Sequence, residues 1–358
     1  MNIHLFVPNL FWPEAMSPEI YRDLSLPAIE TLLAKSLQSE NESQGVEAWL
    51  CRTFSVEKQQ DWPVASITLQ ADKIGNMQVG NGYWLRADPV HLRVENDQVV
   101  LADSRVFCIS PEEASQFVND INMHFAEDDI HFSSYEFSEE RRNMVFLPLC
   151  SDRWYLCLAK TPIIHTHELS EVTIKNINNF LPFGAENMFW RGVLNEIQML
   201  LHEHPLNQAR EERGELAVNS IWFWGGGIMP KLVSSPYTHV WSNDVFPCAL
   251  ALACGTDYAE LPTNVATWQQ SNTSGKHLVF LNSLHGKSQY GDAYGWRDSL
   301  KKMEVNWFLP LLGALRNGSI NQIVVTTTDR GRARSFFVTK SNLWKFWCVR
   351  KSLSTYVD

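Results

Sequence analysis

The sequence predicts an α/β protein carrying an inserted α+β domain, and three observations predict it. Short apolar strands alternate with helices between Ile221 and Thr327, which indicates a parallel sheet with helices on both faces. From 83 to about 165 the pattern changes to antiparallel strand pairs around one helix. The first strand, Ile3–Val7, has no such neighbour in sequence and is expected to join the later sheet. The α/β domain is then discontinuous, 1–82 and 206–358, with 83–205 inserted.

Each element has a local reason. Ile3–Val7 stops at Pro8, which cannot donate to a sheet ladder. Leu26–Leu37 has helical spacing, with Ile29, Leu32, Leu33 and Leu37 on one face. Gln38–Gln44 is polar and reads as a surface loop, and Pro63–Leu69 as a strand. Gly75–Gly82, rich in Gly and Asn, marks a boundary. Tyr83–Val94 and Gln98–Ala102 alternate as a strand pair turning at Glu95–Asp97. Ser110-Pro-Glu-Glu113 supplies an N-cap, a first-turn proline and a capping-box glutamate for a helix to about Phe125. Met144–Leu149 and Trp154–Leu158 pair across Cys150–Arg153, and Ala185–Leu201 is an amphipathic helix. Then follow strand Ile221–Trp224, strand Val240–Ser242, helix Phe246–Gly255, strand His277–Asn282, helix Asp298–Asn317 and strand Gln322–Thr327.

With 358 residues, 45% hydrophobic and 20% charged, the chain has ample material for a core. A net charge of −10 argues against non-specific nucleic-acid binding, which rests on Lys and Arg. The basic stretches Arg330–Arg334 and Lys340–Lys351 read as a solvated face or an anion site. Seven scattered cysteines without a Cys-x-x-Cys fit reduced thiols in a cytoplasm. The first residues lack a signal-peptide pattern, and no apolar stretch approaches the roughly 18 residues of a membrane span, so no membrane partner is expected. Fourteen tryptophans suit large packed interfaces or a stacking surface.

Several groupings could carry chemistry. His165, His167, His202 and His204 could bind zinc, although no further ligand stands at a diagnostic distance. Ser283 and His285 follow a strand, but adjacent loop residues rarely face each other as nucleophile and base. Gly225–Gly227 after a buried strand could turn backbone N–H groups toward a ligand, with Asp244 a weak acidic partner. Asp329 ends a strand where α/β sheets bind ligands. Asp292 and Asp298 could join it around a divalent cation, or cap a helix, and the cap is the stronger reading of Asp298.

His204-Pro-Leu-Asn207, Arg210, Gly214, Ala217, Asn219 and Ile221-Trp-Phe-Trp-Gly225 together resemble the archaeal-type cofactor-independent phosphoglycerate mutases of the alkaline phosphatase superfamily. The likeness extends to Phe189–Leu201, to Arg86–Leu92 with Asp97, Asp103 and Ser110–Ala114, and to Met303–Leu315 with the strand ending at Asp329. Asp61–Ala65, Arg86–Pro89, the Trp-Phe-Trp-Gly block and Tyr290–Trp296 also resemble the RpfE-type bacterial regulatory proteins. The resemblance implies an alkaline-phosphatase-like sheet with an inserted domain. For an active mutase it also implies two divalent cations held by Asp and His, and a phosphoryl-accepting serine. Here Pro8-Asn9 stands where an Asp-Gly is implied, Trp62 near the serine, Asn282 where a His is implied, and Arg330 after Asp329. Catalytic groups are therefore expected to be lost. Arg86, His204, Asn207, Arg210 and Asp329 are the candidate ligand-binding residues, gripping a small phosphorylated or carboxylate metabolite between two lobes. The leading expectation is a non-catalytic, regulatory or metabolite-binding protein without a cofactor. The alternatives are a phosphomutase or phosphatase with a rebuilt Mn or Zn site, using Asp292 and Asp329, and a scaffold holding a protein partner.

Overall fold

The computed structural model describes residues 1–13, 18–42, 45–72, 82–127, 144–231, 234–271, 274–329 and 331–357. In chain order the first elements are β1 (Asn2–Phe6), α1 (Pro27–Lys35), β2 (Leu37–Glu42), α2 (Val46–Thr53) and α3 (Val64–Asp72). Then come β3 (Tyr83–Glu95), β4 (Gln98–Ala102), α4 (Pro111–Glu127), β5 (Val145–Cys150), β6 (Arg153–Leu158), α5 (Asn187–His202), α6 (Pro205–Glu212) and β7 (Ser220–Gly227). The last are β8 (His239–Trp241), α7 (Val245–Ala253), β9 (Asp257–Ala259), α8 (Val265–Gln270), β10 (Lys276–Phe280), α9 (His285–Gln289), α10 (Ala293–Met303), α11 (Leu309–Asn317), β11 (Gln322–Asp329) and β12 (Arg332–Thr339). The glycine-rich boundary expected at Gly75–Gly82 lies, apart from Gly82, outside the described residues.

Two compact units result: Met1–Ser55 with Leu232–Asp358, and Val56–Lys231. Among the described residues the first unit holds a seven-stranded sheet in the order β2-β12-β11-β1-β10-β8-β9. Strands β11, β1, β10, β8 and β9 run parallel, and β12 and β2 add an antiparallel edge. The first strand does join the later sheet, between β10 and β11. Ile3, Leu5 and Val7 alternate into a core with Ile29, Leu32, Leu33, Trp296, Leu300, Leu311 and Leu315. Helix α1 starts after Leu26, which cannot cap it. The Glu304 carboxylate accepts from Ala28 N (2.6 Å) and Ile29 N (3.1 Å) instead. A π-helical turn, Glu304–Phe308, joins α10 to α11 and carries that carboxylate.

The second unit is wider than the 83–205 insertion expected, and β7 is the reason. This strand does not enter the parallel sheet. It pairs antiparallel with β3, from Val90 opposite Ser220 to Trp84 opposite Gly227. A buried apolar run has the same pattern in either sheet, so the sequence could not assign it. Strand β3 also pairs with β4 and β6, and β6 with β5. The β3–β4 hairpin turns on Asn96 (φ 47°) and Asp97 (φ 61°), a left-handed pair that suits a tight hairpin. Tyr83, Leu85 and Ala87 face one core with Phe117, Ile121, Trp154, Trp190 and Phe223. Trp84 faces the opposite side, with Ala65, Leu69 and Tyr155.

Two further expectations are corrected here. Pro63–Leu69, read as a strand, lies almost wholly in helix α3, and Val64–Leu69 are all buried. Its β-branched residues suit a strand locally, but packing against Trp84 and Tyr155 outweighs that weak preference. Gln38–Gln44, read as a loop, overlaps β2 (Leu37–Glu42), whose six residues are all exposed, so Leu37, expected on the apolar face of the first helix, lies outside that helix. Backbone pairing with β12 makes β2 a strand, and no side-chain pattern announces that.

Candidate functional site

The glycine run is the first candidate the structure reassigns. Gly225–Gly227 is not a turn beside a ligand but the end of β7. Gly225 and Gly226 stand opposite the single residue Leu85, a β-bulge, with Gly225 at φ +65°. A Cβ on Gly226 would sit 2.8 Å from Leu85 Cδ2, and one on Gly227 3.0 Å from Pro63 Cα. Close packing against β3 and the start of α3 requires the glycines.

Arg86 and Asp88 lie on one face of β3 and are both buried. Arg86 Nε and Nη2 donate to Asp88 Oδ1 at 2.9 and 2.8 Å, and Trp224 Nε1 donates to Asp88 Oδ2 at 2.8 Å. The guanidinium lies over the rings of Tyr155 and Trp224. Burial pushes the Asp88 carboxyl up, and the Arg86 charge opposes the shift. Beside this pair, Asp72 accepts from Tyr155 Oη (2.6 Å) and Arg153 Nε (2.8 Å). Burial alone would raise the Asp72 carboxyl, but these bonds hold it below its ordinary value.

His204, Asn207 and Arg210 belong to α6, which packs on α4 at the other face of the sheet. His204 caps α6: Nδ1 accepts from Leu206 N (3.2 Å), and Nε2 donates to Asp120 Oδ2 (2.8 Å). Asn207 Nδ2 donates to Leu201 O (2.7 Å) and Val218 O (2.9 Å), and Oδ1 accepts from Val218 N (2.8 Å). Arg210 donates to Leu216 O, Glu113 Oε2 and Cys108 O, at 2.9, 2.8 and 2.8 Å. Glu113 also closes the predicted capping box with Ser110. The expected anion grip is thus not gathered in one place. Arg86 faces away from α6, and the α6 residues tie the chain after α5 to the start of α4.

The metal candidates are likewise separate. Asp329 Oδ2 is 2.6 Å from Arg334 Nη2, across the β11–β12 hairpin. Asp292, not Asp298, is the helix cap: α10 begins at Ala293, and Asp292 Oδ1 accepts from Gly295 N (2.8 Å). Asp298 lies within α10, 3.4 Å from Lys302 Nζ. His165 stacks on Phe183, and His167 lies 3.2 Å from Glu171 Oε2. Among the described residues, no three of His, Cys, Asp and Glu form a metal-holding group. Arg330 lies outside the described residues.

One constellation that sequence reasoning noticed only in pieces sits at the carboxyl ends of the parallel strands. Phe6 is level with Phe280 and Thr326, and Val279 with Trp241, so the residues that follow leave the sheet at one edge. At that edge the chain reverses its direction of build-up, with β10 on one side of β1 and β11 on the other, where α/β sheets place ligands. Asn9 turns left-handed (φ 55°) directly after Pro8. Its carbonyl accepts from Trp296 Nε1 (2.9 Å), and its Oδ1 accepts from His285 Nδ1 (2.7 Å). Asn282 Nδ2 donates to Asp244 Oδ2 (3.0 Å), while its buried Oδ1 has no partner among the described residues. Ser288 follows His285 by three residues on the same face of α9, and its buried Oγ also has no partner among the described residues. Cys248 nearby is pushed up to about 11, first by burial and then by Asp244, so it is a thiol at neutral pH. This rim offers amides, an imidazole, a hydroxyl and one carboxylate. Such groups hydrogen-bond a polar ligand. Two further oxygens near these strand ends are engaged by the protein itself, Asn9 Oδ1 by His285 and the Asp329 carboxylate by Arg334. His285 Nδ1 is engaged by Asn9, and among the described residues no hydrogen bond joins Ser283 to His285, so the nucleophile–base pair considered from sequence is not formed.

No family model matches the chain. A 2,3-bisphosphoglycerate-independent phosphoglycerate mutase of Methanosarcina mazei is 28% identical over 161 residues, 43% of this chain and 36% of that protein. One from Methanosarcina barkeri is 39% identical over 61 residues, 17% of this chain and 15% of that protein. The matched segments thus span about a third or less of these curated relatives. Among solved structures, the PH0037 protein of Pyrococcus horikoshii superposes with a TM-score of 0.52 at 10% identity, over 94% of this chain and 87% of that one. The chain is distantly similar in sequence to cofactor-independent phosphoglycerate mutases, and it shares a mixed α/β fold with the PH0037 protein.

Proposed function

We propose that this chain is a non-catalytic, phosphoglycerate-mutase-like protein that binds a small phosphorylated or carboxylate metabolite at the strand-end rim, in a regulatory role. One observation carries the reading. Two buried rim atoms, Asn282 Oδ1 and Ser288 Oγ, have no partner among the described residues, while the rest of the rim is tied by the Asn9–His285 and Asn282–Asp244 bonds. Ser288 Oγ–H can donate to a phosphate or carboxylate oxygen, and Asn282 Oδ1 can accept from a hydroxyl of the same metabolite. The RpfE-type resemblance is what supports a regulatory rather than a metabolic role.

The test has two arms. Calorimetry against phosphoglycerates and related phospho-acids is expected to give saturable binding that weakens in Asn282→Ala and His285→Ala. Mutase and phosphatase assays with added manganese or zinc are expected to show no turnover. Silence across the ligand panel would sink the binding claim. Metal-dependent turnover lost in Asp329→Asn would establish a rebuilt catalytic site instead.

A further inference from the structure

The segment after β12 displays large apolar side chains that the rest of the fold does not cover. Trp344 is 79% exposed, Phe346 84%, Trp347 67% and Val349 72%. Phe346 and Trp347 touch edge to face, their ring centroids 5.0 Å apart. Contiguous exposure of this kind marks an interaction surface rather than ordinary scatter.

The backbone that carries these side chains is pinned. Lys35 Nζ donates to Leu343 O (2.9 Å) and Lys345 O (3.1 Å). Thr339 and Asn342 form a capping box before Trp344, and Leu353 is buried after Val349. Glu30 pairs with Arg350 at 3.3 Å. The aromatics are therefore held outward on a fixed, irregular scaffold.

Charge identifies the occupant. The chain carries a net −10, yet Arg330 to Val357 contains seven Lys and Arg and no Asp or Glu. Of these, Arg332, Arg334 and Arg350 pair with Glu40, Asp329 and Glu30. Lys340 and Lys351 are exposed and Lys345 is half-buried, and none of the three meets a carboxylate among the described residues. An anionic surface would be repelled by most of the protein and attracted here. The segment is neither a groove nor a long helix, and only β2 beside it offers a strand edge, lined by Glu40 and Glu42. Those are the usual ways to take a peptide. Tryptophan and phenylalanine interleaved with lysine instead match the boundary of a bilayer, where rings settle at headgroup depth and ammonium groups meet lipid phosphates.

We propose that Lys340–Lys351 docks this protein peripherally on an anionic lipid membrane, with Trp344, Phe346 and Trp347 entering the headgroup layer. No helix among the described residues is long and apolar enough to cross a membrane, and docking on a surface requires none.

Vesicle flotation of the full chain tests this, using phosphatidylcholine vesicles with and without phosphatidylserine. The protein is expected to float with the serine-containing vesicles only, and less at high salt. Trp344→Ala with Phe346→Ala and Trp347→Ala, or Lys340→Glu with Lys351→Glu, should each weaken binding by about tenfold or more. These side chains are exposed, so unchanged circular dichroism is expected to confirm that each variant folds. Absence of flotation, equal flotation on neutral vesicles, or flotation unaffected by the aromatic substitutions would overturn the proposal. So would retention of an acidic protein or of RNA by this segment without vesicle binding.

Discussion

The strand-end rim of the first unit and the buried polar groups of the second unit are similar in sequence and differ in structure. Both are sets of Asn, Asp, His, Ser or Arg side chains; the rim's follow strand ends, and the second unit's lie within β3 and on α6. In the second unit, Arg86, Asp88, Asn207 and Arg210 bond to neighbouring protein groups. At the rim, Asn282 Oδ1 and Ser288 Oγ are left without partners among the described residues. The buried arrangement holds a fold together, and the rim leaves hydrogen-bonding capacity for something else. A polar residue in a family motif is therefore a weak pointer to ligand binding until its bonds are counted.

Substitutions can break or sharpen that contrast. Arg86→Met strands the Asp88 carboxylate in a buried site, so the expected loss is about 3–5 kcal/mol of stability by chemical denaturation. Arg86→Met with Asp88→Leu should recover much of it. If the single variant is near neutral, Arg86 is not a structural residue. Asn207→Ala leaves Val218 N and O and Leu201 O unsatisfied, and about 2–3 kcal/mol is expected to be lost in the same measurement.

The same physics reaches the sheet that carries the rim, through His4. This half-buried imidazole bonds Thr326 Oγ1 and Tyr237 Oη, both at 2.7 Å. Burial, with Lys276 adding, lowers its pKa from 6.5 to about 3. The unfolded chain then binds the proton more readily than the folded one. Stability from this group is full above about 6.5 and falls as pH drops toward 3, by about 1.4 kcal/mol per unit at most. Burial raises the Glu30 and Glu304 carboxyls, which act in the opposite sense. Comparison with His4→Phe isolates the histidine: the variant's stability profile should be flatter between those pH values. A parallel profile would show that His4 is not the titrating group.

Rim substitutions should matter least for the fold. Asn282→Ala removes one half-buried hydrogen bond, and under about 1 kcal/mol of stability is expected to change. Ligand binding by calorimetry should change more than stability does. A large stability loss with intact ligand binding would place the rim in the same class as Arg86.

Much was legible in the sequence where local chemistry decides. The capping box at Ser110–Glu113, the Asn96-Asp97 hairpin, the stop of β1 at Pro8 and the α4 and α5 helices all follow from neighbouring residues. The pairing of Arg86 with Asp88 was also within reach, because residues two apart on a strand share a face. The helix at Val64–Asp72, the edge strand β2 and the place of β7 were not, because each is fixed by elements distant in the chain.

The sequence by itself determined that an α/β sheet is interrupted by an antiparallel unit, and it places Pro8-Asn9, Asn282 and Arg330 where the mutase resemblance implies Asp-Gly, His and His. Tertiary structure decided which polar groups are already bonded, which glycines serve packing, and that Asn9, Asp244, Asn282 and His285 meet at one edge. The physical reason is one of range. Caps, turns and periodicity act over a few residues, whereas the satisfaction of a buried polar group depends on partners hundreds of residues away, as Asn9 and His285 show.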